Sequence, residues 1–121
     1  MPSAEDFDHY AVRFEGLADD VASLLVDAHR RCDAQVMSGG RFTASVHAAF
    51  EADAGRVAAI AGELERHAET CRARAAAIRS HQLEMASYER AHAAYLRSRA
   101  DPTQTPMSRP PVPRALPVWA S

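Results

Sequence analysis

Proline placement leaves few folds open to this chain. Of its seven prolines, one is Pro2 and the other six lie at or after Pro102, so residues 3–101 contain none. Within that stretch glycine occurs singly at 16, 55 and 62, and once as a pair, Gly39-Gly40. Proline ends helices, and paired glycines allow the positive φ that a turn needs. The sequence therefore predicts a helix over 4–37, a turn at Ser38, Gly39 and Gly40, and a longer helix over 41–100. These make one helical-hairpin domain over 1–100, followed by an extended or disordered Pro-rich tail over 101–121.

Apolar periodicity supports that division. In the first segment Phe7, Tyr10, Phe14, Leu17, Val21, Leu24 and Ala28 alternate spacings of three and four, the pattern of a coiled-coil seam. In the second, Phe50, Val57, Leu64, Cys71, Ile78 and Met85 recur every seven residues. Beside them Ala54, Ala61, Ala68 and Ala75 form a small-residue strip that lets another helix come close. Folding the chain antiparallel about Gly39 sets Phe7 against Cys71, Phe14 against Leu64, Val21 against Val57 and Ala28 against Phe50. The intervening layers bring Leu17 near Ile60, Tyr10 near His67, and His29 near His47. The expected fold is all-α: an antiparallel helical hairpin whose core is Phe7, Phe14, Leu17, Val21, Phe50, Val57, Ile60 and Leu64.

Such a hairpin cannot bury both of its apolar faces alone, and chains this small rarely supply enough core without a staple or a partner. The second helix also outruns the first, so residues from about 74 onward would project ~40 Å at 1.5 Å per residue. That overhang carries Ile78, Met85, Tyr88 and Tyr95, which are expected to meet another chain, so that oligomerisation completes the fold.

Composition narrows the function. The net charge is −2, divided as an acidic residue 1–40 segment and a mildly basic 41–100 segment. This charge gives no sequence-independent grip on nucleic acid. No uncharged run approaches the ~20 residues of a membrane span, and the acidic start MPSAEDFDHY lacks the apolar stretch of a cleaved signal peptide. The hairpin register keeps Cys32 and Cys71 too far apart for a disulfide, so both read as small buried side chains.

Catalysis and metal binding find little support. Glu89 and His92 have the Glu-x-x-His spacing of helical di-iron sites, but Asp6 and His9 are the nearest approach to a second copy, and a solvated helix face explains both. His67, Arg74 and His81 occupy seam positions, where polar groups more often set register or partner choice. No Gly-rich phosphate loop, paired catalytic carboxylates or Ser/His/Asp arrangement is present, so neither enzymatic activity nor a cofactor is expected.

Helix, x-Gly turn and helix within about 100 residues together resemble the WXG100/ESX superfamily of type VII secretion substrates. The turn here is Ser38-Gly39-Gly40, so the glycine of that family's Trp-x-Gly turn is present and the tryptophan is not. Gly40, Phe42, Val46 and Phe50 follow a glycine–aromatic–apolar–apolar spacing similar to that of the actinobacterial ESX secretion-associated proteins, which also tend to lack the tryptophan. The resemblance implies a protein-interaction module that pairs with another helical hairpin in the cytoplasm and is secreted through a type VII system without a cleaved signal. The family's Tyr-x-x-x-Asp/Glu export motif is not met, since His92 follows Tyr88 and Arg99 follows Tyr95 at that spacing. A cytosolic adaptor or chaperone for a toxin or secretion component is the alternative. In the tail, Leu116 and Trp119 are the candidate docking residues, because polyproline II is preordered and Trp119 is the chain's single tryptophan.

Overall fold

A computed structural model of the chain describes residues 2–35 and 41–120, with side chains outside 32–44. It is all-helical apart from the tail: α1 spans Ala4–Gln35, α2 spans Arg41–Ala100, and a 3-10 turn, η1, covers Val118–Ala120. No strand occurs among the described residues. The turn expected at Ser38, Gly39 and Gly40 lies outside them, as does the side chain of Cys32. No helix among the described residues is long and apolar enough to cross a membrane.

A capping box starts α1. The Asp6 backbone N–H donates to Ser3 Oγ at 3.1 Å, and the Ser3 N–H donates to the Asp6 carboxylate at 2.8 Å. Two N–H groups that the first turn cannot satisfy internally are thereby paired. Glu5 and Asp6 also place negative charge at the positive end of the helix dipole. At its other end α2 carries Arg97 and Arg99 in the last turn, the complementary arrangement.

The chain divides into two compact units, Asp8–Arg72 and Met1–Phe7 together with Ala73–Ser121. In the first unit the two helices pack antiparallel. Phe14 stacks on His67 with ring centroids 5.4 Å apart, and His29 meets Phe50 edge-to-face at 5.4 Å and lies 6.3 Å from His47. Phe14, expected opposite Leu64, stacks on His67, one turn further along α2. Helical side chains lean toward their own N-terminus, so in an antiparallel pair Phe14 and His67 lean toward each other.

The deeply buried positions are small ones. Ala11, Ala18, Ala68 and Cys71 are buried in this unit, whereas Phe14, Val21, Phe50, Val57 and Leu64 are only half-buried. Leu17 and Ile60, expected in the core, are each 50% exposed. The contact is rotated around α1 relative to expectation. It centres on Ala11 and Ala18, two alanines seven residues apart, with the larger side chains at their flanks. An alanine loses all its accessible surface only where neighbouring atoms come close to its backbone, which is what a small-residue seam permits.

A consequence can be measured by chemical denaturation. Ala11→Leu inserts a branched side chain where none fits and should destabilise the fold by about 1–3 kcal/mol. Leu24→Ala, at a residue 70% exposed, should change stability by no more than about 0.5 kcal/mol.

Candidate functional site

Two surfaces stand out, one in each unit. In the Asp8–Arg72 unit, Tyr10, Leu17 and Leu24 recur every seven residues along α1 and are all exposed, and Ile60 of α2 is exposed as well. Tyr10, Arg13, Phe14 and Leu17 line a shallow depression of about 200 Å³. This column lies beside the buried alanines, so α1 has a wide apolar face of which the hairpin uses only part. Asp20 and Asp27, both exposed, continue beside this column the seven-residue row that begins at Arg13, whereas Asp19 lies with Glu15 and Arg72 on the other side.

Elsewhere in the same unit Arg72 donates to the Glu15 carboxylate across the hairpin. The hydrogen bond to Arg72 is the main reason the Glu15 carboxyl is held below its ordinary value of 4.5, and Arg72 is raised in turn. Both groups are well exposed, so solvent screens the pair and it acts as a register marker more than as a source of stability.

The second surface belongs to the other unit and is built by the tail. After α2 the Asp101 carboxylate accepts from the Thr103 N–H at 2.9 Å and from Thr103 Oγ1 at 2.6 Å, while the Gln104 N–H donates to the Asp101 carbonyl at 3.2 Å. This is an Asx turn with Pro102 at the position where proline's fixed φ is best suited. The turn sends the chain back along α2, and Ser98 Oγ, on a buried residue, donates to the Thr105 carbonyl at 3.1 Å. Tyr95, Ser98 and Arg99 then face Pro102, Pro106 and Met107 across a pocket of about 350 Å³. Further along, Glu84, Ser87, Tyr88 and Ala91 form a groove with Pro110, Pro111, Val112 and Pro113.

At the end of this path Trp119 meets Phe7 edge-to-face, with centroids 5.6 Å apart and planes at 87°. The Arg74 guanidinium carbon lies 5.1 Å from the Trp119 ring centre and 5.8 Å from that of Phe7. Such a cation against two ring faces adds attraction to the apolar burial. The Ala120 N–H donates to the Pro117 carbonyl at 3.0 Å, and Ala120 is fully buried. Leu116 is half-buried beside it in sequence.

The residues assigned to a partner are therefore placed differently. Ile78 is buried within the chain, Met85 is half-buried, and Tyr88 and Tyr95 line the two hollows closed by the tail. The overhang does not stand bare: the chain's own proline-rich segment lies on it where a second chain was expected. His92 stacks between Tyr88 and Tyr95, at 5.5 and 6.3 Å, and its Nδ1 is buried with no hydrogen-bond partner. Its Glu-x-x-His partner Glu89 is exposed, and no group of three or more potential metal ligands forms among the described residues. Cys71 is a buried free thiol.

The chain matches no protein-family model, no curated protein and no solved structure.

Because Trp119 is the single tryptophan, its fluorescence reports the tail contact directly. Arg74→Ala and Phe7→Ala should red-shift its emission and raise its quenching by acrylamide, whereas Leu83→Ala, at a side chain 73% exposed, should change neither. Acid should act on the Asp101 hook. Thr103 holds the Asp101 carboxyl below its ordinary 3.8, so its contribution is complete above that value and is lost as pH falls through the lowered one. Trp119 emission should accordingly begin to red-shift below about pH 4. Asp101→Asn keeps the acceptor oxygen and cannot titrate, so it should remove that part of the transition.

Proposed function

We propose that this protein is a non-enzymatic interaction module that assembles with another helical hairpin through the exposed side of its Asp8–Arg72 unit. The observation that carries the reading is the exposed column Tyr10, Leu17 and Leu24, with Ile60, on a hairpin that fully buries no large side chain among the described residues. A fold closed mainly over alanines leaves most of its apolar surface available, and covering that surface with a second hairpin gives the usual four-helix solution. The acidic residues Asp20 and Asp27 beside this column favour a partner that presents arginine or lysine along the matching rim.

The Gly39 turn and the Gly40, Phe42, Val46 and Phe50 spacing give the sequence its resemblance to the WXG100/ESX proteins. They support a role as a type VII secretion substrate or as the co-secreted partner of one. One observation favours an adaptor that stays in the cytoplasm: the export spacing after Tyr88 meets His92, against which Tyr88 is stacked, instead of an acidic residue.

The test is to express the tagged chain in its own host, separate cells from culture filtrate, and identify what co-purifies from each. A second small helical protein should accompany the wild type in the filtrate and be lost from Leu17→Asp/Leu24→Asp, whose circular dichroism should remain helical. Equal recovery of that partner with the double variant would sink the interface. Recovery of the chain only from cells, with a larger toxin or a secretion ATPase, would move the reading to the adaptor.

A further inference from the structure

Residues 101–120 lie against α2 as a ligand lies in a site. They form neither helix nor strand before η1; one hydrogen bond, from Ser98 Oγ to the Thr105 carbonyl, ties them to α2, and beyond it proline and tryptophan side chains are set against Tyr88 and Arg74 of α2 and Phe7 of α1. The hook at Asp101 and Thr103 starts the strap on its path, but its hydrogen bonds are local to the turn and neither residue lines the groove or touches Trp119. Any segment of the same sequence could therefore make those distal contacts without being joined to this α2.

We infer that Phe7, Arg74 and Tyr88 form a binding site for a proline-rich peptide carrying a tryptophan, filled here by the chain's own tail and open to the same segment of a second copy. The chemistry suits that occupant. Prolines hold the peptide near its bound shape, so little conformational entropy is lost on docking. Tyrosine-lined grooves complement proline rings, and the Arg74–Phe7 pair supplies an anchor for the indole. Tethering makes the cis contact the dominant one at low concentration, since a short connection gives an effective concentration of about 1 mM. This site shares no residue with the Tyr10, Leu17 and Leu24 column, so it stands or falls independently of the proposed function.

The experiment uses the full chain carrying Trp119→Ala, which contains no tryptophan, and a synthetic peptide of residues 105–121, whose Trp119 is then the sole indole in solution. The peptide's emission should blue-shift saturably as the variant is added. Adding Arg74→Ala to the variant should weaken binding at least tenfold, and a peptide carrying Trp119→Ala should fail to compete. Emission unchanged up to about 1 mM variant, the effective concentration of the tether, would overturn the inference, as would equal affinity in the Arg74→Ala background. If circular dichroism shows that Trp119→Ala has lost its helices, the same peptide made with 5-fluorotryptophan is titrated against the wild-type chain. A bound fluorine resonance is then expected, and its absence at millimolar peptide rejects trans docking.

Discussion

Close packing over alanine is the interaction on which the rest of this structure depends. Ala11, Ala18 and Ala68 let the helices approach with little side chain between them, so the hairpin gains contact without gaining much buried apolar area. Each buried alanine removes far less surface from water than a leucine would, and hydrophobic stabilisation follows the area removed. The large side chains that would ordinarily fill the seam are displaced to its flanks, where Leu17, Leu24 and Ile60 remain exposed. The exposed apolar column on α1 is thus the direct result of how the hairpin closes.

The same shortage shapes the other unit. α2 has 60 residues and α1 has 32, so much of α2 lacks a helical neighbour from α1. A third helix would need a break and a further amphipathic segment. The chain instead uses an extended strap rich in proline, which covers Tyr88 and Tyr95 and is fixed by the Asp101 hook at one end and by Trp119 at the other. Proline suits this role because a strap that makes no sheet has no use for the N–H that proline lacks.

Much of this architecture was legible in the sequence. The absence of proline and the Gly39-Gly40 pair point to the two helices, and the heptads point to their antiparallel pairing. The alanine seam on α1 was not recognised, although Ala11 and Ala18 lie seven residues apart, because alanine is common on every helix face of a chain this rich in it. Centring the contact on the larger residues therefore rotated the expected core and put Leu17 and Ile60 inside it. The Ser3–Asp6 capping box and the Asp101-Pro102-Thr103 turn rest on local chemistry that periodicity does not reveal. Trp119 stands out in the sequence as the single tryptophan, set in a proline-rich segment. Its partners Phe7 and Arg74 could not be read, because no periodicity relates residues on such distant stretches of chain.

That last contact gives the protein a history as well as a shape. Phe7 lies in the first turn of α1, and Trp119 is among the last described residues to leave the ribosome. Synthesis runs from the N-terminus, so Tyr88 and Tyr95 enter the chain before the prolines and Trp119 of the strap. The Phe7–Trp119 contact joins residues 112 positions apart, so it can close only after both helices are in the chain, and loop closure of that span makes it one of the costliest contacts to form.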